Sequence, residues 1–179
     1  MITYVKGDVR DTDAPFIVHG CNAQGAMGSG VARALFERWP DVKTEYTGWM
    51  ERVKAGGFST LPMGACQFVM VDRAPRKYVI NMITQDYYGK DGSKYVSYDA
   101  VDRGMIQLKD SCEYMFDGGV VDCDRLVISM PKIGSGLGGG SWKVIESIIT
   151  HRLSDIDVRV YELWVRKHDA DRVGKNQLI

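Results

Sequence analysis

The sequence has few cysteines, histidines and prolines, no net charge and no long apolar run. Its 179 residues include four cysteines, three histidines and five prolines, and 23 Lys and Arg residues balance 23 Asp and Glu residues. A neutral chain has no overall field to recruit nucleic acid or an anionic membrane, so we expect neither as a partner. No apolar run reaches the ~20 residues that a membrane span needs, and we expect a soluble protein.

The spacing of the cysteines and histidines excludes the usual metal sites. The cysteines form no CxxC pair and the histidines lack ligand spacing, so the sequence predicts no metal. An even number of cysteines permits two disulfides, but no segment resembling a secretory signal precedes them, and a chain of this length does not need cross-links. We therefore expect reduced thiols in a cytoplasmic protein.

Apolar patterning alternates between strand and helix periods. The predicted strands are 2–5, 16–20, 64–72, 77–84, 124–130 and 157–165, and the predicted helices run from Ser29 to Pro40, over 42–54, along an apolar face from Val101 to Met115, and from Trp142. This order predicts a three-layer α/β/α sandwich with a mixed, mostly parallel sheet. We expect an N-terminal hairpin-like pair to make the sheet mixed, and we expect the strands 64–72 and 77–84 to pair through the short turn at 73–76. One domain is expected over 1–165, followed by a charged tail over 166–179.

Two glycine-rich loops share the same setting. The strand at 16–20 leads into GAMGSG and a helix, and the strand at 124–130 leads into PKIGSGLGGGSW and a helix. Glycines at the carboxyl end of a strand let backbone N–H groups approach a ligand, and a helix N-terminus favours an anion. One such loop is equally compatible with a tight turn. Two of them predict a ligand with phosphate, and we infer a diphosphate flanked by sugars.

Rival phosphate-binding motifs fit less well. Residues 134–139 satisfy GxGxxG, and Glu162 ends the next strand, as in a dinucleotide fold. That fold should continue into further strand–helix units, but only 17 residues follow Glu162, so we expect no nicotinamide cofactor. The chain has no GxxxxGK[ST], and no cysteine precedes an arginine by six positions. Any hydrolysis is therefore expected to use an activated water rather than a thiolate.

Four side chains near these strand ends are candidates for ligand chemistry. His19 can orient a water or protonate a leaving oxygen, or it can be a hydrogen-bonded histidine at a strand end. Asn22, inside the first loop, can bond vicinal sugar hydroxyls or shape a turn. Asp8 can accept from an exocyclic amine or belong to a turn. Tyr161 can stack on a base or pack in the core.

Five blocks of the sequence, taken together, resemble the macro domain family of ADP-ribose-binding α/β/α modules. They are ITYVKGD, HGCNAQGAMGSGVA, NMITQ, MPKIGSGLGGGSW and RVYEL, in this order along nearly the whole chain. Within the family the sequence looks most like the branch that includes the yeast-type ADP-ribose-1''-phosphate phosphatase and the terminal ADP-ribose protein glycohydrolase.

The resemblance implies a role for each matching position. Asp8 and the Val9 backbone would bind adenine and Tyr161 would lie against it, while Asn22 and the turn at 28–31 would hold the distal ribose and phosphate. The second loop would supply backbone donors to the diphosphate. The implied ligand-binding residues are Asp8, Val9, Asn22, Gly28, Ser29, Gly30, Val31, Gln85, Gly134, Ser135, Gly136, Leu137, Gly138, Gly139 and Tyr161.

Departures from the family pattern bear on activity. Gln85 and Gly138 stand where glycohydrolase members have a lysine and an aspartate, which argues against their covalent lysine mechanism. Many macro domains have an asparagine at the position of His19, whereas histidine there resembles the phosphatase branch, in which it is catalytic. The resemblance therefore implies hydrolysis of ADP-ribose-1''-phosphate with His19 as the catalytic residue. Binding of ADP-ribose or an ADP-ribosylated protein without turnover, and hydrolysis of an ADP-ribosyl ester, remain as alternatives.

Overall fold

The computed structural model describes residues 1–89 and 91–163, and it shows a six-stranded sheet covered by helices on both faces. The strands are β1 (Ile2–Lys6), β2 (Phe16–Asn22), β3 (Cys66–Arg73), β4 (Arg76–Gln85), β5 (Val127–Pro131) and β6 (Asp157–Glu162). The helices are α1 (Gly30–Arg38), α2 (Asp41–Ala55), α3 (Tyr98–Asp117) and α4 (Trp142–Arg152), with a 3-10 turn at Val9–Asp11. The predicted tail over 166–179 and its boundary lie outside the described residues.

The strand order is β1-β6-β5-β2-β4-β3, and every neighbouring pair is parallel except β3 and β4. The predicted mixed sheet is confirmed, but the predicted N-terminal hairpin-like pair is wrong. Strands β5 and β6 lie between β1 and β2, and the antiparallel pair is the β3–β4 hairpin. The reason is burial: β2 is apolar on both faces and requires a central position, whereas β1 is half exposed and suits an edge.

Alternation along β2 sends its side chains into two separate cores. Phe16 and Val18 face α3 and α4, and Ile17 faces α1 and α2. The same alternation holds for β4, the parallel neighbour of β2. The three-layer arrangement therefore follows from the continuous apolar run of β2, which must be covered on both sides.

Strand β2 extends two residues beyond the predicted end, to Asn22. Its pairing with β4 continues to the carboxyl end of that strand, where Ala23 N donates to Gln85 O at 2.8 Å. As a result His19 lies inside the strand, and Asn22 is its last residue rather than a residue within the loop.

All four cysteines lie within the described residues and are free thiols. In the described part of the chain, no helix is both long and apolar enough to cross a bilayer.

Leu108 tests how α3 packs on the sheet. It is fully buried in the core between α3, α4 and the sheet, whereas Ile106 on the same helix is 39% exposed. Leu108→Ala should lower the free energy of unfolding by about 2–5 kcal/mol, because it leaves a cavity. Ile106→Ala, the matched control, should cost less than about 1 kcal/mol. Urea unfolding measures both, and equal losses would show that α3 does not present this face to the sheet.

Candidate ligand-binding and active site

A cleft of about 930 Å³ lies at the carboxyl ends of β2, β4 and β5. Its walls come from the loop after β2, which we call loop 1 (residues 23–29), and the loop after β5, which we call loop 2 (residues 132–141). The predicted site residues that line it are His19, Asn22, Gly28, Ser29, Gly30, Val31, Gln85, Gly134, Gly136, Leu137 and Gly138. The two predicted loops therefore face one crevice, as expected at the strand ends of an open α/β sheet.

Asn22 holds loop 1 in shape. Its Oδ1 accepts from Gln24 N at 3.0 Å and Ala26 N at 3.1 Å, and its Nδ2 donates to Ala26 O. The buried Tyr46 hydroxyl, from α2, donates to Asn22 O. The Asn22 side chain therefore stabilises the turn of loop 1 through hydrogen bonds to its backbone. The predicted bond to a ribose hydroxyl stays a prediction.

Loop 1 leads into α1 with unpaired backbone donors. Ser29, the residue before the helix, makes no side-chain cap, and the first backbone bond of the helix runs from Arg33 N to Ser29 O. The N–H groups of the first turn are therefore free to meet a ligand, and the helix dipole favours an anion there.

The glycines of loop 2 serve two different purposes. A Cβ on Gly134 would lie 2.7 Å from Val96 Cγ2, and one on Gly138 would lie 2.7 Å from Gly134 O. These two glycines are required for packing within the protein. A Cβ on Gly136 meets nothing within 4 Å, as does one on Gly28 of loop 1, so these two positions leave space for a ligand.

The segment after β4 ties the two loops together. Gln24 Nε2 of loop 1 donates to Asp86 O at 3.1 Å, and Val96 N donates to Gly138 O of loop 2 at 3.0 Å. Tyr88 from this segment lines the cleft and stacks on Tyr87, with ring centroids 5.3 Å apart. In the sequence this segment is a polar stretch punctuated by glycines.

The residues predicted for the adenine end do not line this cleft, and neither do Ser135 and Gly139. Asp8 accepts from Arg10 N at 2.9 Å and from the Arg10 guanidinium at 2.6 Å, which lowers the pKa of the carboxyl. Val9 is buried in the core cluster on the α1–α2 side, and the partly buried Tyr161 packs against that cluster. Their adenine-binding roles stay predictions.

His19 borders the cleft from beneath loop 1, but only 1% of its surface is exposed. Its Nε2 lies 2.7 Å from Asn81 Oδ1, and burial lowers the pKa of the imidazole to about 4. The ring is therefore neutral at physiological pH.

Cys21 also lines the cleft, two residues after His19. Its Sγ lies 3.7 Å from both ring nitrogens of His19. If the sulfur lay in the ring plane at equal distances from both nitrogens, it would clash with Cε1. We therefore infer that Sγ lies over the face of the ring, away from the lone pair of either nitrogen. Burial raises the pKa of the thiol, so Cys21 is not a thiolate nucleophile.

Two lysines that sequence reasoning did not identify line the cleft, Lys43 from α2 and Lys132 from loop 2. Lys132 Nζ lies 2.5 Å from Glu162 Oε1. Lys43 Nζ lies 4.8 Å from the centre of the Phe36 ring and forms no ion pair within residues 1–89 and 91–163. Nothing in the local sequence marks Lys43, because the packing of α2 brings it to the cleft.

The sequence model of the Macro domain family matches residues 18–149. The chain belongs to the macro domain family. The predicted resemblance to this family is thereby confirmed, and the cleft lies where the two loops of that resemblance meet. The fold agrees: a macrodomain protein from Streptomyces coelicolor has a TM-score of 0.71 and 31% identity, covering 90% of this chain and 99% of that one.

Curated relatives point to ADP-ribose chemistry at low identity. An ADP-ribose 1''-phosphate phosphatase of Scheffersomyces stipitis is 24% identical over 176 residues, which cover 90% of this chain and 99% of that protein. A DNA ADP-ribosyl glycohydrolase of Mycobacterium tuberculosis is 27% identical over 164 residues, which cover 90% of this chain but 42% of that protein. An uncharacterized 17.5 kDa protein of Enterobacteria phage T4 is 28% identical over 170 residues, which cover 90% of this chain and 96% of that protein.

The buried, neutral state of His19 predicts a pH dependence of stability. The unfolded chain takes up a proton near the ordinary histidine pKa of 6.5, whereas the folded protein resists until about 4. This contribution is complete above pH 6.5 and is lost as the pH falls towards 4, by up to about 3 kcal/mol. His19→Asn should remove this part of the acid destabilisation measured by urea unfolding from pH 7 to 4.

His151 provides the matched control, because it is an exposed histidine on α4. His151→Asn should leave the pH dependence as it is in the native protein. If His19→Asn loses as much unfolding free energy between pH 7 and 4 as the native protein does, His19 is not a buried neutral histidine.

Proposed function

We propose that the cleft binds ADP-ribose and that the protein hydrolyses ADP-ribose-1''-phosphate to ADP-ribose and inorganic phosphate. The observation that carries the proposal is the position of His19 at the floor of the cleft, below loop 1 and the open N-terminus of α1. An imidazole beside a group of anion-binding backbone donors provides the two elements that hydrolysis of a phosphate ester requires, a proton acceptor and charge stabilisation.

The neutral state of His19 favours one of its two predicted roles. A histidine acts as a general acid from its doubly protonated form, and the lowered pKa of His19 leaves one ring nitrogen unprotonated at neutral pH. His19 therefore acts as an acceptor that orients a water.

The proposed reaction is an attack of this water on phosphorus. The water oxygen forms a bond to phosphorus while the bond between phosphorus and the 1'' oxygen breaks. His19 takes a proton from the water, and the departing oxygen takes one from solvent. Backbone N–H groups at the start of α1 stabilise the charge on the phosphate oxygens, and Lys43 adds a positive charge at the wall of the cleft.

Two features argue against the chemistry of other hydrolases. Gln85 lines the cleft where a lysine mechanism would need a lysine, and its Nε2 donates to Tyr87 O at 2.8 Å. Cys21 is a buried thiol with a raised pKa. Activated water is the nucleophile that this site supports.

Binding without turnover is the second candidate, and the burial of His19 favours it. A histidine that is 1% exposed and bonded to Asn81 also fits a residue that only supports the floor of the cleft. In that case the ligand is ADP-ribose or an ADP-ribosylated protein.

Phosphate release separates the two candidates. His19→Ala should lower kcat on ADP-ribose-1''-phosphate on the order of 100-fold, the usual size of a general-base contribution. Its affinity for ADP-ribose, measured by calorimetry, should stay within about threefold, because loops 1 and 2 supply the binding contacts. His151→Ala is the control. Equal rates of phosphate release by the native protein and His19→Ala would show that His19 takes no part in the mechanism. Absence of phosphate release by the native protein would favour the second candidate, binding without turnover.

Lys43 should discriminate between ligands with and without the terminal phosphate. Lys43→Met should weaken binding of ADP-ribose-1''-phosphate about threefold to tenfold more than binding of ADP-ribose, because it removes one partly screened charge interaction. Lys54→Met, an exposed lysine at the other end of α2, should change neither affinity. An equal loss for both ligands would place Lys43 away from the terminal phosphate.

A further inference from the structure

A row of three polar side chains runs beneath the cleft floor, one on each of three adjacent strands. His19 on β2 and Asn81 on β4 are direct partners in the sheet, as are Asn81 and Gln67 on β3. His19 Nε2 lies 2.7 Å from Asn81 Oδ1, and Asn81 Nδ2 lies 3.0 Å from Gln67 Oε1. Asn81 is fully buried, so its amide must satisfy its hydrogen bonds within the protein.

Two backbone carbonyls of α2 fix the direction of this row. Asn81 Nδ2 lies 3.2 Å from Val42 O, and Gln67 Nε2 lies 2.8 Å from Glu45 O. A carbonyl oxygen can only accept, so both amide NH₂ groups must face α2. Gln67 then presents Oε1 to Asn81, and Asn81 presents Oδ1 to His19. Reversing either amide would place oxygen against oxygen.

This direction decides the tautomer of His19. Asn81 Oδ1 is an acceptor, so the His19 nitrogen that faces it must carry the hydrogen. The ring is neutral because it is buried, and therefore Nδ1 has a free lone pair. Within the described residues, the only polar neighbour of Nδ1 is Cys21 Sγ at 3.7 Å, which lies over the ring face. Nδ1 is thus the one ring nitrogen able to accept a proton.

We propose that Asn81 is a positioning residue that fixes His19 as the Nε2–H tautomer and so makes Nδ1 the proton acceptor of the site. The inference rests on the proposed phosphatase function for its catalytic consequence, whereas the tautomer itself follows from the amide row. Gln67 helps to fix the Asn81 amide, because its Oε1 accepts a hydrogen bond from Asn81 Nδ2. An orienting partner of this kind matters in catalysis because the wrong tautomer presents a hydrogen where a lone pair is needed.

The test uses variants that differ in what they present to His19. Asn81→Thr replaces the amide with a hydroxyl that can donate or accept, so it no longer dictates the tautomer, and a β-branched residue suits the strand. Asn81→Leu removes the partner altogether. Gln107→Leu is the matched control, since Gln107 bonds to the adjacent β3 residue, accepting from Cys66 N, but comes from α3 on the other face of the sheet.

The first measurement is the tautomer, read from long-range ¹H–¹⁵N correlation of the imidazole in the ¹⁵N-labelled protein. His19 should show a protonated Nε2 and an unprotonated Nδ1 in the native protein and in Gln107→Leu. Asn81→Thr should give a mixture of tautomers. The second measurement is phosphate release, in which Asn81→Thr should lower kcat by about tenfold or more while KM stays within about twofold.

The outcomes separate this inference from the proposed function. A native His19 protonated at Nδ1, or an Asn81→Thr protein with an unchanged tautomer, overturns the positioning role whatever the activity. A changed tautomer with unchanged kcat also overturns it, because the acceptor would then be elsewhere. Absence of phosphate release by a native protein that has the Nε2–H tautomer refutes the phosphatase function, and with it the catalytic consequence, but leaves the assignment of Asn81 as the residue that fixes the tautomer. If Asn81→Leu fails to fold, Asn81→Thr decides the question.

Discussion

The central position of β2 in the sheet is the constraint on which the fold and the cleft both depend. Strand β2 is buried on both faces, and it pairs with β4 on one side and β5 on the other. Because all three strands are parallel, their carboxyl ends meet at one edge, where loops 1 and 2 enclose the cleft. The same strand carries His19 and ends at Asn22, so the chain that organises the sheet also supplies the cleft floor.

Burial at this position gives the site its chemical character. Burial keeps the imidazole of His19 neutral at physiological pH, and it keeps the thiol of Cys21 beside it protonated. The floor of the cleft is therefore electrically neutral, and positive character comes from the backbone donors of α1 and from Lys43 at the wall. In the proposed reaction, the backbone donors recognise the phosphate and a water is the reacting group.

Local sequence signals predicted most of the fold and part of the site. The apolar run of β2, the helical spacing along α3 and the turn between β3 and β4 each depend on neighbouring residues, and each was predicted correctly. The pairing of β1 with β6 was not, because residues at opposite ends of the described chain meet only in the folded sheet. Lys43 was missed for the same reason, since the packing of α2 against the sheet brings it to the cleft.

The glycines and His19 show where a sequence motif is ambiguous. The motif predicted that glycines approach a ligand, yet Gly134 and Gly138 are required by internal packing, and Gly136 is open to the cleft. His19 was placed beside the cleft correctly, but its partner Asn81 lies on another strand. No spacing along the chain connects the two residues, and only the register of β2 with β4 brings them together.

Isothermal titration of the protein with ADP-ribose tests the central claim, that the cleft between loops 1 and 2 is a binding site for this ligand. The account predicts saturable binding at one site, which is lost in Gly136→Leu because the added side chain fills open space in the cleft without disturbing the fold. Gly56→Ala, outside the cleft lining at the end of α2, should bind as the native protein does, because the backbone φ of −79° suits any residue and the added Cβ meets only ordinary contacts. Absence of binding by the native protein, or undiminished binding by a folded Gly136→Leu protein, would contradict it.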